Sequence, residues 1–114
     1  MKAWVTQLRK GVIEFAILQV LAQEGTYGYR LVQDLKRLEG LEITEATVYP
    51  ILNRLLEDAH LDGREVQSST GPPRRYFSVT LRGRRRLAEM MTYWQVLCKT
   101  ISGIQDSILA GEHS

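Results

Sequence analysis

The residues from Thr44 to Glu57 carry the side chains best suited to chemistry in this chain of 114 residues. Their apolar positions repeat at helical spacing and predict a helix whose buried side holds Val48, Ile51, Leu52 and Leu55. The opposite side then shows a short, polar and aromatic set, namely Ala46, Tyr49, Pro50, Asn53 and Arg54. Such side chains hydrogen-bond base edges and phosphates, so the pattern indicates nucleic-acid contact. The same pattern also fits an ordinary amphipathic helix, or two short helices broken at Pro50.

Local signals place the start of this helix. Thr44 is a favourable N-cap residue, and Glu45 in the first turn complements the helix dipole. Pro50 removes the hydrogen bond to the Ala46 carbonyl, but on the exposed side that carbonyl is open to water or DNA.

Positive charge is concentrated in one part of the chain. The net charge is only +2, yet six of the fifteen Lys and Arg residues fall between Arg74 and Arg86, where there is no acidic residue. A local basic patch is typical of a protein that contacts phosphates, although an Arg-rich solvated turn has the same composition.

Several classes of protein and site are excluded by composition. The single cysteine, Cys98, forms no internal disulfide and fits a reducing compartment, where we expect it to be a buried apolar residue. His60, expected at a loop or helix end, and His113 lack the spacing of a metal site. No nucleophile with a paired base and no phosphate-binding glycine loop is evident, so we expect no enzyme and no cofactor. Glu14 and Gln19 interrupt the N-terminal apolar run, which is too short to span a bilayer. Because no secretion signal is evident, the sequence predicts a cytoplasmic protein without a membrane partner.

Two helices are predicted before the first motif. One covers residues 13–22, and Trp4, Val5 and Leu8 either continue it or form a preceding arm broken at Gly11. The second starts near residue 26, and its apolar face is formed by Tyr29, Leu31, Val32, Leu35 and Leu38. Three helices with a short connection between the second and third are typical of a helix-turn-helix unit.

A β-hairpin is predicted after the third helix. Residues 61–66 and 76–81 have the character of strands, with Phe77, Val79 and Leu81 alternating onto one face. The loop between them is rich in turn residues, and Arg74 and Arg75 would lie at the base of this wing, near phosphates or the minor groove. An ordinary surface hairpin is the alternative.

The C-terminal residues predict a long helix capped by Thr80. Its apolar residues follow a heptad pattern, with one series at Leu87, Trp94, Ile101 and Ile108 and another at Met90, Leu97 and Ile104. This spacing is typical of a coiled-coil seam and predicts a homodimer, and part of the stripe must also pack on the chain's own first helix. The predicted fold is mainly α with a small β-hairpin. It consists of a winged helix-turn-helix domain at residues 1–81, a dimerisation helix at 82–110 and a tail at 111–114.

Three motifs resemble the PadR family of transcriptional regulators, in the branch with a single C-terminal dimerisation helix. They are T-Y-G-Y-R-L at residues 26–31, E-A-T-V-Y-P-I-L-N-R-L at 45–55 and G-P-P-R-R-Y-F-S-V-T-L-R-G at 71–83. The resemblance covers nearly the whole chain and implies a homodimeric winged-helix repressor. It implies DNA reading by Ala46, Thr47, Tyr49 and Arg54, wing contacts by Arg74 and Arg75, and a backbone contact by Tyr27. Asn53 joins this set through its place on the exposed side.

The resemblance also implies an effector. Better-known family members release DNA when a phenolic acid or a planar hydrophobic drug binds, and Trp94 is similar in placement to a tryptophan that lines such a drug site. Met90 and Met91 beside it would suit an adaptable pocket, although all three are equally ordinary core residues. One departure is the sequence Ala59-His60-Leu61, because the family often has glycine followed by large aliphatic residues there. The end of the third helix is therefore expected to differ in shape.

The sequence is compatible with two functions. The first is a dimer that reads a palindromic operator with half-sites about 34 Å apart and is released by a small hydrophobic or phenolic effector. The second is a winged-helix protein-interaction module without sequence-specific DNA binding.

Overall fold

The computed structural model describes residues 1–113 and confirms a mainly α fold with a small antiparallel sheet. In that range the elements are α1 (Lys2–Gln23), β1 (Thr26–Tyr27), α2 (Gly28–Lys36), α3 (Glu45–Glu57), β2 (Leu61–Val66), β3 (Arg74–Val79) and α4 (Leu81–His113). The first three helices and the sheet form a winged helix-turn-helix unit, and α4 is the long C-terminal helix.

The core lies where the first three helices meet. Its nine most deeply buried side chains are Ile17, Leu18 and Leu21 of α1, Leu31, Val32 and Leu35 of α2, and Val48, Leu52 and Leu55 of α3. Full burial of one such side chain stabilises the fold by about 1.5 to 3 kcal/mol. Because the buried side of α3 is fixed against α1 and α2, its polar side faces outward.

Helix α1 is continuous, so Gly11 does not break it. Its C-terminal half is embedded in the core, whereas Trp4 and Leu8 in its N-terminal half remain exposed.

Helix α2 begins two residues later than the sequence predicted. Thr26 and Tyr27 instead form a short strand that pairs with β3, opposite Phe77 and Tyr76. The sheet therefore has the order β1-β3-β2 within the described chain, one strand more than a hairpin. The prediction that Tyr29 lies on the apolar face of α2 was wrong, because the helix turns that side chain away from the buried side.

Other details of α2 and of the wing also differ from prediction. Leu38 follows the end of α2 and is exposed. Strand β3 ends at Val79, so Leu81 starts α4 and is exposed rather than continuing the strand's buried face. Arg74 and Arg75 pair with Val66 and Glu65 at the loop end of the hairpin, not at its base.

The junction between α3 and the wing also fixes the start of α4. The Thr80 hydroxyl caps α4 as predicted, accepting a hydrogen bond from the Gly83 amide at 3.0 Å. That hydroxyl also donates to the Ala59 carbonyl at 2.6 Å, and the Thr80 amide donates to the His60 carbonyl at 3.1 Å. Ala59 itself has φ 60°, the left-handed conformation that favours glycine.

Helix α4 extends beyond the rest of the molecule. Its 33 residues span about 50 Å at 1.5 Å per residue, and every residue from 91 to 112 is exposed. The radius of gyration is 17.4 Å, compared with about 13 Å for a compact chain of this length. The helix includes the first three residues of the predicted tail, and Ser114 lies outside the described residues.

Two predictions about side chains of α4 were wrong. Leu87 is buried in the core of its own chain rather than in a seam, because the first turns of α4 pack on that core. Cys98 is exposed rather than buried, since it lies on the part of α4 that projects away from the domain.

Candidate nucleic-acid interface

The outward side of α3 is a polar ridge with two flanks. Thr44 caps the helix by accepting a hydrogen bond from the Thr47 amide at 3.3 Å, and α3 continues without interruption through Pro50. At 100° per residue, Ala46, Pro50 and Asn53 lie near the centre of the exposed side. Tyr49 lies on one flank of this ridge and Arg54 on the other, and each flank borders a groove.

The groove on the wing side collects five of the residues predicted to contact DNA. It has a volume of about 600 Å³ and is lined by Tyr27, Gly28, Tyr29, Tyr49, Asn53, Arg74, Arg75 and Phe77. The Tyr27 ring stacks edge-on against Tyr76, with 5.4 Å between ring centroids. Tyr29 was missed as a site residue, because the sequence placed it in the core. The fold therefore unites side chains from α2, α3 and the wing around one polar, aromatic cleft.

Gly28 shapes this cleft. A Cβ atom at that position would lie 3.1 Å from the ring of Tyr49 and 3.3 Å from Phe77. Since glycine leaves this space free, the Tyr49 ring lies directly over the start of α2.

The groove on the opposite flank lies between α3 and the N-terminal half of α1. It brings together Ala46, Thr47 and Arg54 of the predicted set with Arg9 and Lys10 of α1. Arg9 forms an ion pair with Glu42 at 2.6 Å, and its hydrogen bond and charge lower the pKa of the Glu42 carboxyl. Nothing local in the sequence relates Arg9 and Lys10 to α3, so only the fold reveals them as neighbours of the ridge.

Arg54 has a partner that its sequence position does not suggest. Its Nη2 atom donates to Oε1 of Glu14 at 2.9 Å, while Arg86 Nη2 forms an ion pair with the other oxygen of Glu14 at 3.5 Å. One carboxylate of α1 therefore contacts both α3 and α4.

His60 is buried beside this cluster. Its Nδ1 atom has no hydrogen-bond partner within the described residues. Burial lowers the pKa of the imidazole, and the positive charges of Arg86 and Arg82 lower it further. His60 is consequently neutral at pH 7.

A separate apolar groove lies between α1 and α4. It has a volume of about 550 Å³ and is lined by Leu8, Gly11, Val12, Phe15, Glu89, Met90, Tyr93, Trp94 and Leu97. The Trp94 ring lies 5.7 Å from the Phe15 ring, tilted by 54°, and 42% of Trp94 is exposed. Of the predicted effector residues, Trp94 and Met90 line this groove, and Met91 is exposed elsewhere on α4.

The predicted dimerisation residues beyond Leu87 form an exposed apolar stripe along α4. They are Trp94, Leu97, Ile101, Ile104 and Ile108, each between 41% and 56% exposed.

Residues 1–113 contain neither a candidate metal site nor a candidate membrane span. No group of three or more His, Cys, Asp or Glu side chains there could hold a metal ion. None of the helices in that range has the length and apolarity that a membrane span requires.

Comparisons with a family model and with solved structures lead to the same family. Residues 17–89 match the family model described as the transcriptional regulator PadR-like family. A PadR-like transcription factor from Bacteroides fragilis is 37% identical, with a TM-score of 0.76 over 87% of this chain and 95% of that one. A PadR family regulator from Eggerthella lenta is 32% identical, with a TM-score of 0.80 over 90% of this chain and 89% of that one.

A third similar protein matches over only part of each chain. The transcriptional activator GvpE of Haloferax mediterranei is 38% identical over 53 residues, which are 46% of this chain and 28% of GvpE.

Proposed function

Because this chain belongs to the PadR-like family of transcriptional regulators, we propose that it is a homodimeric repressor that reads a palindromic DNA operator and is released by a small hydrophobic or phenolic effector. Members of this family are transcriptional regulators and not enzymes. The observation that carries the proposal is the exposed polar ridge of α3, flanked on one side by Tyr49 and the wing arginines and on the other by Arg54. A helix presented in this way enters the major groove, while basic residues on both flanks contact the two phosphate backbones.

The wing-side cleft supports separate roles for its residues. Asn53 offers an amide that can bond the edge of adenine in two places, and Tyr49 offers an aromatic face and a hydroxyl. Arg74 and Arg75, both exposed at the loop end of the hairpin, supply charge for phosphates or the minor groove. Tyr27 lies at the N-terminus of α2, the part of a helix-turn-helix that meets the DNA backbone.

The projecting part of α4 supports the dimer. A stripe of half-exposed Trp, Leu and Ile side chains at heptad spacing is stabilised when a second copy covers it. A two-fold dimer places two α3 helices against successive major grooves, so the operator is expected to be a palindrome with half-sites about 34 Å apart.

The groove beside Trp94 supports the effector. It is open, largely apolar and lined by aromatic side chains from α1 and α4, a composition that suits a planar hydrophobic molecule. Because α4 also carries the dimer stripe, a molecule bound there would change the relative placement of the two α3 helices.

Selection of bound duplexes from a random DNA pool at about physiological salt tests the proposal, because such salt suppresses non-specific phosphate binding. We expect a two-fold symmetric site to be enriched. Asn53→Ala should then weaken binding to that site by about 1 to 3 kcal/mol and leave binding to unrelated DNA unchanged. Gln95→Ala removes the same kind of amide from the exposed surface of α4, off the heptad stripe, and is the matched control.

Failure of a folded, dimeric protein to enrich any site would reject DNA reading and favour the protein-interaction module. The sign of regulation is tested separately with a reporter gene placed downstream of the enriched site, where repression is expected.

The effector is tested with a Trp4→Phe variant, in which Trp94 is the only tryptophan. Phenolic acids and planar aromatic dyes are expected to quench its fluorescence saturably and to release the operator over the same concentration range. Release of DNA without any change in Trp94 fluorescence would place the effector elsewhere.

A further inference from the structure

Glu14 is a carboxylate held between three helices. It lies on α1, and its side chain is only 14% exposed. One of its oxygens accepts a hydrogen bond from Arg54 of α3 at 2.9 Å, and the other is paired with Arg86 of α4 at 3.5 Å. A carboxylate that interrupts an apolar helix face is costly to bury unless it is paired, and here both of its oxygens are used.

The pairing leaves much of the Arg54 guanidinium available. This side chain is 58% exposed beside the ridge of α3, and a guanidinium has five N–H donors in a fixed planar arrangement. A guanidinium held at one of its nitrogens loses less conformational freedom when its other donors bind a base or a phosphate. Glu14 therefore prepares Arg54 for directional contacts.

The charge of Glu14 has a second consequence. Arg54 and Arg86 together carry two positive charges, and Glu14 neutralises one of them. Less net charge weakens attraction to any phosphate, which is the component of DNA binding that carries no sequence information. Orientation thus favours discrimination between sequences, whereas neutralisation limits attraction to DNA in general.

We propose that Glu14 is a positioning residue for Arg54, which it holds for DNA reading while limiting sequence-independent binding. This inference rests on the proposed function, because it concerns the same DNA-reading surface. It adds a residue of α1, outside the helix-turn-helix motif and the wing, to those that determine DNA specificity.

Glu14→Gln tests the proposal because it keeps the shape of the side chain and removes its charge. The measured quantity is the ratio of dissociation constants for the enriched operator and for a shuffled duplex of the same length. We expect this ratio to fall at least fivefold, and the salt dependence of shuffled-duplex binding to steepen by up to about one unit in log K against log salt. Glu24→Gln, the same change of charge at the exposed C-terminal end of α1, should leave the ratio within twofold of wild type.

A double-mutant cycle distinguishes positioning from a general structural role. If Glu14 acts through Arg54, adding Glu14→Gln to Arg54→Ala should change the ratio less than twofold. A full additional loss in the Arg54→Ala background, or an unchanged ratio in Glu14→Gln alone, would overturn the proposal.

A third variant tests the contact from the other side. Arg54→Lys keeps the positive charge but lacks the planar set of N–H donors of a guanidinium. It should therefore lower the ratio of dissociation constants as Glu14→Gln does, although Glu14 is unchanged. Arg54→Lys also serves as the test if Glu14→Gln does not fold. An unchanged ratio in Arg54→Lys would overturn the proposal. A wild-type protein that does not discriminate between operator and shuffled duplex rejects the proposed function as well. Discrimination by wild type that survives Glu14→Gln rejects only the role of Glu14.

Discussion

Gly83 lies in the first turn of α4, where an added methyl group would meet the polypeptide backbone. A Cβ atom there would press directly against the carbonyl oxygen of His60 and lie 2.8 Å from Cγ1 of Val79. The His60 carbonyl also accepts a hydrogen bond from the Thr80 amide. As a backbone group, it cannot move aside as the end of a flexible side chain would. Gly83→Ala should therefore separate the start of α4 from the end of α3.

The expected magnitude is the balance of three effects. Alanine gains about 1 kcal/mol over glycine inside a helix. Forcing one extra carbon into a packed contact costs about 1 to 3 kcal/mol. Loss of the hydrogen bond from Thr80 to His60 costs about 1 kcal/mol more. Gly83→Ala should then lower the free energy of unfolding by about 1 to 3 kcal/mol.

Gly103→Ala is the matched control in the same helix. Nothing lies within 4 Å of a Cβ atom at Gly103, so only the higher helix propensity of alanine changes stability. The free energy of unfolding should then rise by up to about 1 kcal/mol. Urea unfolding followed by circular dichroism measures both variants at one fixed protein concentration, because the stability of a dimer depends on concentration. A Gly83→Ala protein as stable as wild type would refute the packing of α4 against this junction.

Three further outcomes are expected. Ala59→Gly should raise the free energy of unfolding in urea by about 0.5 to 1 kcal/mol, because glycine relieves the left-handed φ of 60° but adds freedom to the unfolded chain. The pKa of His60 is lowered in the fold, so the unfolded chain binds a proton near pH 6.5 before the folded chain does, and the free energy of unfolding should fall as pH drops from about 7 to about 5. Urea titrations across that range should show a smaller fall in His60→Leu. Ile101→Ala removes a side chain that is 47% exposed from both protomers and should weaken the dimer by about 2 kcal/mol in sedimentation experiments, whereas Val96→Ala, off the heptad stripe, should not.

The sequence was most informative where local patterns decide the structure. The limits of α3 followed from the Thr44 cap and the helical spacing of Val48, Leu52 and Leu55, all of which act within a few turns of one helix. The β2 limits were also predicted correctly, because helical spacing ends at His60 and a loop of turn residues follows Val66.

Strand β1 could not be predicted in this way. Thr26 and Tyr27 are only two residues long as a strand, and they pair with Tyr76 and Phe77, which lie about fifty residues further along the chain. Local sequence favours a helix start at Thr26, but pairing with β3 prevails and delays α2 until Gly28. Tyr29 lies away from the side of α2 that holds the buried Leu31 and Leu35, which explains why it lines the wing-side cleft instead of the core.

Heptad spacing shows a similar limit in α4. The pattern treats Leu87 and Ile101 as equivalent, because both follow the same seven-residue repeat. In the fold, Leu87 is covered by the chain's own core, whereas Ile101 lies on the part of α4 that extends past it. Periodicity identifies an apolar stripe, but the length of the neighbouring elements decides which part of that stripe remains free for a partner.

The cluster of Glu14, Arg54 and Arg86 shows why the site itself was only half predictable. Helical phase predicts Arg54 on the exposed side of α3, whereas Glu14 in the sequence is only an interruption in an apolar run. Their hydrogen bond joins residues forty positions apart and depends on how α1 crosses α3. The physical consequence is more than structural support, since an unpaired arginine is attracted to every phosphate, whereas one held by a carboxylate keeps only part of that attraction and gains a fixed direction. We therefore expect the selectivity of the proposed DNA-reading surface to depend on an acidic residue of α1, outside the ridge of α3.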